Sequence, residues 1–374
     1  MPGTTAKSDP RLVQLDPTTA ERWDRFVDQH PDSTAYHLSA WGEILQRSYR
    51  FEPMYLALEG PGGEISGILP LVYGRGPLSG ARVVSLPARI QVAGPLGRSS
   101  DVEVALLGAA CEIVRSGKAS RLQLRSRREG YEHVLPDLAA RRAWPTWRME
   151  LPSDPDAFWE RFTGRSKSLR RNVRKAQRSG VSVREGSSSG DLRRFYRLYL
   201  KTMRKHRELP RSLRQLTVSK RLLGPPGVFK LFVAEYDGRV IAGGVFHFFR
   251  DTVELLYNAS DDRYLDVRPN HAIYWDVIRI AIAAGFRFFD FGVAQPGSSL
   301  ADFKRRWSAE PLARFYYSYP APDAGSGTDR NRSEQALKIR RQLRRRDRTL
   351  LHHAWRRAPL ALTRLGGVLV YRYL

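Results

Sequence analysis

At 374 residues, with 42% hydrophobic and 11% aromatic side chains, the chain is too long for one ordinary domain and too apolar for a disordered one. Two domains of roughly 150–180 residues are expected. The single cysteine, Cys111, excludes an intramolecular disulfide or a cysteine-rich metal site.

No run of roughly 18 apolar residues is present, so no membrane-spanning helix is expected. Met1–Pro10 lacks the apolar core of a signal peptide, so the expected location is cytoplasmic.

In chain order, helices are predicted over Pro17–Gln29 and Leu38–Ser48, where aromatic and aliphatic residues recur at helical spacing. Met54–Glu59 and Ile65–Tyr73 read as paired strands around the turn Gly60-Pro61-Gly62-Gly63. Val102–Val114 reads as a helix, Arg121–Leu124 as a strand, Tyr131–Ala140 as a helix and Thr146–Leu151 as a strand. Asp154 and Pro155 then open a helical run whose apolar stripe is Phe158, Phe162, Leu169, Val173 and Ala176. Gly164 can divide this run, and Gly180 fits its C-terminal cap.

Next come a short strand at Val181–Arg184 and helices at Asp191–Lys205 and Ser212–Leu222. A three-strand meander is predicted over Phe229–Glu235, Val240–Phe249 and Val253–Asn258, with Asp237-Gly238 as its first turn. Asn270–Ala284 is a helix, Phe286–Phe291 a strand, Leu300–Trp307 a helix and Ala313–Tyr319 a strand. The stretches beginning at Phe51 and Phe229 echo each other as strand, glycine turn, strand, which suggests two copies of one fold.

The formal charge is +25, from 63 Lys+Arg against 38 Asp+Glu. Arg161–Arg221 holds 20 basic and 3 acidic residues, and Arg330–Leu374 holds 13 and 2. These segments carry +17 and +11, so the rest carries 25 − 28 = −3. Charge so concentrated points to a polyanionic partner or, on the plainer reading, to a solvated arginine-rich surface. Pro320–Thr328 reads as a linker, followed by a basic helix over Ser333–Arg357 and a short apolar end. That tail can lie on an anionic membrane surface or dock on the body, but it is too short to span.

Five segments together carry a family resemblance. They are YHLSAWGEIL (36–45), RSKSLRRNVRKAQRSGVSV (165–183), FYRLYLKTMRKHRELP (195–210), RPNHAIYWDVIRIAIAAGFRFFDFG (268–292) and LADFKRRW (300–307). In this order they resemble the FemAB-like, Fem-type branch of the GNAT acyltransferase superfamily, over residues of about 10–320. The resemblance implies an α/β fold of two tandem GNAT-like domains, each a mixed, mostly antiparallel sheet with flanking helices. The expected division is 10–152 for the first domain, 153–180 for a basic helical segment and 181–320 for the second domain. A linker at 321–332 and a basic amphipathic tail at 333–374 would follow.

One departure from ordinary GNAT enzymes is informative. Their glycine-rich loop before a helix lets backbone amides reach the pyrophosphate of acetyl-CoA. The matching loop here, Asp266-Val267-Arg268-Pro269-Asn270-His271-Ala272, has no glycine, and Pro269 removes a donor. Side chains are then expected to hold the donor's phosphates. Arg165, Lys167, Arg170, Arg171, Arg174, Lys175 and Arg178 fall within 14 residues and suit a sugar-phosphate backbone.

Lys304 matches the active-site lysine of the Fem-type Phe-Lys pair, where a cation would stabilise a developing oxyanion or a donor phosphate. Asp290, in the apolar strand FRFFDFG, must be paired or hydrogen-bonded and can orient an amine or hold Lys304. His271 is a candidate general base or, with Asn270, a helix cap. Tyr257, Asn270 and Trp275 are candidate substrate contacts, with core packing as the alternative for Tyr257.

No phosphate-loop, zinc-binding or nucleophile-elbow motif is present. No metal and no dissociable cofactor are expected, and direct transfer in a ternary complex is implied.

The resulting expectation is a cytoplasmic acyltransferase that moves an aminoacyl group from aminoacyl-tRNA to an amine. The amine would belong to a cell-envelope precursor, such as one of peptidoglycan, or to a small molecule, held between the two domains. One alternative is an acyl-CoA-dependent N-acyltransferase of exopolysaccharide or envelope synthesis. Another is a non-catalytic scaffold, peripheral at the inner face of the plasma membrane.

Overall fold

The computed structural model describes residues 11–14, 19–60, 62–76, 80–86, 92–160, 162 and 167–320, with 360, 364 and 371 besides. The linker and most of the basic tail lie outside the described residues, as does Arg165. Two compact units are present, dividing between Ala143 and Trp144, with the segment from Arg314 returning to the first.

The first unit begins with β1 (Arg11–Gln14), α1 (Ala20–Gln29), α2 (Ala40–Tyr49), β2 (Glu52–Pro53), β3 (Leu56–Glu59), β4 (Ile65–Leu69), β5 (Val72–Gly76) and β6 (Gly80–Val84). It continues with β7 (Leu96–Gly97), α3 (Ser100–Arg115), β8 (Arg121–Ser126), α4 (Tyr131–Val134) and β9 (Ala139–Arg142). The second unit holds β10 (Thr146–Glu150), α5 (Pro155–Glu160), α6 (Lys167–Arg178), β11 (Ser182–Glu185), α7 (Ser189–His206), α8 (Leu213–Leu223) and β12 (Phe229–Tyr236). After these come β13 (Arg239–Phe249), β14 (Thr252–Ser260), α9 (Pro269–Ala283), β15 (Phe288–Val293), α10 (Ser299–Arg306) and β16 (Glu310–Leu312). The last strand, β17 (Phe315–Tyr319), belongs to the first unit.

Three sheets result. The first unit has β1-β3-β4-β7 and β2-β5-β6-β8-β17-β9, and the second has β11-β12-β13-β14-β15-β10-β16. The expected hairpins form, β3 with β4 and β12 with β13, and β14 completes the meander.

Three expectations are corrected. The single strand predicted over Ile65–Tyr73 is two strands in different sheets. Pro70 lies between them, where a residue without an N–H interrupts the ladder. The helix predicted over Tyr131–Ala140 is one turn. Pro136 follows it, and Ala139–Arg142 pairs with β17. The strand predicted at 313–319 forms, but it pairs with β8 and β9 rather than with the second sheet.

Helix α6 packs as part of the second unit. Its stripe of Leu169, Val173 and Ala176 is buried in the core that holds Ile273, Val277 and Ile278 of α9. Burying a leucine or valine side chain contributes about 1.5–3 kcal/mol, enough to hold so basic a helix against the body. On the opposite face of the sheet, α7 lies close to β13. A Cβ at Gly243 would meet Phe195 at 2.7 Å and the Phe232 carbonyl at 3.1 Å. Glycine there lets the Phe195 ring approach the sheet backbone.

Candidate active site

Strands β14 and β15 form the parallel pair at the centre of the seven-stranded sheet of the second unit. They are paired at Thr252–Phe288, Val253–Phe289 and Glu254–Asp290. Beyond Glu254 and Asp290 they separate, β14 continuing against β13 and β15 against β10. The sheet thus opens at its middle, and polar side chains gather where it opens.

Lys304 is brought there by α10, capped at its start by the Ser298 hydroxyl. Its side chain is 4% exposed. Nζ donates to the carbonyls of Gly292 at 2.8 Å and Val293 at 3.0 Å, both at the end of β15. Gly292 has φ +76°, a left-handed turn out of the strand. Its N–H donates to Asp290 Oδ1 at 2.7 Å. Asp290 and Lys304 therefore grip the two ends of one residue and hold a cation at the strand opening.

The face of Asp290 follows from alternation. Phe289 and Phe291 point into the core beneath α9, so Asp290 points to the other face. Directly paired residues share a face. The register therefore aligns His247, Glu254, Asp290 and Arg148 across four strands. His247, Glu254 and Asp290 are all buried. Burial pushes the His247 imidazolium down to about 3, so His247 is neutral near pH 7. Tyr257 is on this face too, 5.4 Å from the Tyr199 ring of α7, and its hydroxyl accepts from Gln215 Nε2 at 3.4 Å.

Asn270 and His271 lie on the other side, at the start of α9. Asn258 Nδ2 donates to Asn270 Oδ1 at 3.4 Å, and Asn270 Nδ2 donates to Ser260 Oγ at 3.3 Å. Asn270 thus ties the helix start to β14. Asn172 Nδ2 of α6 donates to His271 Nε2 at 3.3 Å, which places the ring proton of neutral His271 on Nδ1. The ring also packs on Phe303 at 5.6 Å. Burial, and after it the charges of Arg268 and Arg306, lower the His271 imidazolium to about 4.

Of the amides that a helix start leaves open, one is missing here and one turns back onto the chain. Pro269 has none, and those of His271 and Ala272 both donate to Arg268 O, at 3.0 and 3.3 Å. Arg268 itself adopts φ +60°.

Of the basic helix, Lys167, Arg171, Arg174, Lys175 and Arg178 are exposed and Arg170 is half-buried. Arg170 and Arg174 lie over the Trp159 ring at 5.2 and 5.6 Å. Trp159 in turn packs on Trp275, which stacks on Phe158. Trp275 is thereby buried in the core beneath α6, away from Tyr257, although its position also props the basic helix.

Sequence reasoning passed over Glu254, His247 and Arg148. Glu254 and His247 carried the signal that singled out Asp290, a polar residue flanked by apolar ones in a strand, whereas the strand of Arg148 also holds Thr146 and Glu150. It also missed Asn172, whose contact with His271 spans 99 positions. Among the described residues no group of three metal-ligating side chains converges, and no helix is long and apolar enough to cross a membrane.

Residues 163–305 match the family model of the acetyltransferase (GNAT) domain. Among solved structures, the chain is similar to FemX, at 17% identity and a TM-score of 0.66, over 83% of this chain and 97% of that one. It is also similar to L-PGS from Bacillus licheniformis, at 12% identity and a TM-score of 0.55, over 84% and 95% of the two chains. A third likeness is to the C-terminal domain of a putative lysylphosphatidylglycerol synthetase from Agrobacterium fabrum, at 14% identity and a TM-score of 0.55, over 82% and 93%. At such identities the likeness is one of fold. No curated protein matches the sequence significantly.

Proposed function

With residues 163–305 identified as a GNAT-type acyltransferase domain, we propose that this acyltransferase forms an amide. It would move an aminoacyl group from aminoacyl-tRNA to the amine of a cell-envelope precursor or small molecule. One observation carries this reading. The helix start that would cradle a CoA pyrophosphate has no glycine, has no amide at Pro269 and turns that of His271 onto Arg268 O, while a basic helix docks beside it through Asn172 and His271. A donor held through side-chain charge fits that arrangement better than one held by backbone amides. The fold likeness to FemX and to L-PGS supports the same reading.

The reaction is direct transfer. The amine nitrogen attacks the ester carbonyl, the C–N bond forms and the C–O bond to the terminal ribose breaks. The ribose hydroxyl leaves with a proton, and the amine loses one. Lys304 offers a fixed positive charge to the oxyanion. Glu254, buried beside Asp290 at the strand opening, is the carboxylate we assign to receive the amine's proton. His271 suits positioning better than base catalysis, because its Nε2 already accepts from Asn172 and its pKa is low. The basic face of α6 would follow the tRNA backbone, and the protein would work in the cytoplasm, with its tail free to touch an anionic membrane.

The test is binding of uncharged and charged tRNA across a salt series, followed by transfer of radiolabel from a charged tRNA pool. Binding that weakens steeply with salt, together with amine-dependent release of label, is expected. Absence of binding at low salt would overturn it. Transfer from acyl-CoA is a second reading, favoured by the family match to acetyltransferases. Saturable acetyl-CoA binding by calorimetry would put it first.

A further inference from the structure

The first unit shares one arrangement with the second. Its six-stranded sheet contains a parallel pair, β6 with β8, joined at Arg82–Arg121, Val83–Leu122 and Val84–Gln123. As in the second unit, the parallel pairing covers three positions and a long helix precedes the second strand, here α3. At the end of β8, where Lys304 stands at the end of β15, there is a cavity of about 240 Å³. It adjoins a more open one of about 630 Å³, with which it shares Asp32, Glu103 and Arg128.

The cavity wall is a polar network. Glu103, 7% exposed, accepts from Tyr131 Oη at 3.0 Å and from Arg128 Nη1 at 2.5 Å. Arg128 Nη2 donates to Ser100 Oγ at 2.6 Å. The Glu103 charge is thus matched within the wall. Arg127 adds a second cation, close enough to His37 to lower its pKa. His37, fully buried, is held near 3, chiefly by desolvation. Its Nδ1 accepts the Thr34 N–H at 3.0 Å, so the proton is on Nε2, which meets Gly94 O at 3.2 Å. The wall therefore presents arginine charge without a protonated histidine, and Asp32 completes the lining.

We propose that this cavity of the first unit binds a free α-amino acid or a compound of that size and charge, at a site separate from Lys304. Arginine favours a carboxylate, and Asp32 favours an ammonium group. The volume falls just short of the roughly 300–1,000 Å³ of drug-sized pockets, which suits an amino acid. His37 falls within the family-like segment 36–45, which the proposed chemistry of the second unit leaves unused.

Calorimetry and thermal shift on the full chain test this, with the common amino acids, acetate and inorganic phosphate as probes. At least one amino acid is expected to bind and to raise the melting temperature. Arg127→Gln should weaken it by about tenfold or more, the equivalent of about 1.4 kcal/mol. Asp32→Asn, at an exposed position, should weaken the amino acid while leaving acetate unchanged. Lys304→Met should leave binding intact, so the result stands apart from the fate of the acyl-transfer reading. No binding by any amino acid would overturn the proposal. So would phosphate binding as tightly as every amino acid, or an affinity that neither Arg127→Gln nor Asp32→Asn changes.

Discussion

Lys304 donates to the carbonyl of Gly292 at 2.8 Å, and the N–H of that same residue is taken by Asp290. A buried ammonium is thus fixed by backbone oxygens at the point where the central strands part. Preorganisation of this kind lets a charge act on a transition state without first having to be oriented.

Lys304→Met keeps the length of the side chain and removes the charge. kcat/KM is expected to fall by about 10²–10³, the usual cost of losing one oxyanion donor. The fold should survive with a modest loss of stability, because two carbonyls lose their donor. Steady-state kinetics beside a thermal melt separates the two effects. An unchanged kcat/KM would remove Lys304 from the chemistry.

Buried histidines make the fold acid-sensitive. Burial holds His271 near 4 and His37 and His247 near 3, against an ordinary value of 6.5. Between those values the unfolded chain binds protons that the native chain refuses, so this contribution is complete above about 6.5 and declines as pH falls toward 4 and then 3. Denaturant midpoints from pH 7 to 4 should drop, and His37→Gln should flatten the slope for the first unit. A slope identical to that of the parent would contradict the assignment.

The exposed face of α6 should control polyanion binding. Arg171→Glu with Lys175→Glu is expected to weaken tRNA affinity and to lower the salt slope by about one per lost phosphate contact. Arg170 and Arg174 differ because they also cover Trp159, so replacing them should reduce thermal stability as well. Filter binding at several salt concentrations, beside a melt of each variant, checks both statements.

Asp191 is a structural carboxylate. It is 3% exposed and accepts from Arg184 Nη2 at 2.9 Å and from the Ser188 hydroxyl at 2.8 Å, closing the capping box of α7. The Arg184 guanidinium and the Ser188 donors hold its carboxyl well below the usual range. Asp191→Ala should cost about 3 kcal/mol through the lost ion pair and cap, lowering Tm by roughly 6–12 °C. Asp191→Asn, which retains the cap oxygen, should cost less.

Much of the site was visible along the chain. Asp290 stood out as a charge in an apolar strand, and the stripe of Leu169, Val173 and Ala176 marked the buried side of the basic helix. The partners were not visible. Lys304 finds its carbonyls 11 and 12 positions back, and Asn172 meets His271 across 99. Trp275 looked like a ligand contact from its helix, yet Phe158 and Trp159 enclose it.

The sequence by itself determined the local elements, because helical periodicity, caps and glycine turns act within a few residues. The hairpins at 56–69 and 229–249 and helices α7 to α10 follow from such rules. Tertiary structure alone decided what depends on pairing between distant strands. It sent 315–319 into the six-stranded sheet of the first unit and split 65–73 between two sheets. It also set the register that places His247, Glu254 and Asp290 side by side. A one-residue slip would turn each of them to the other face, and no local signal can specify that choice.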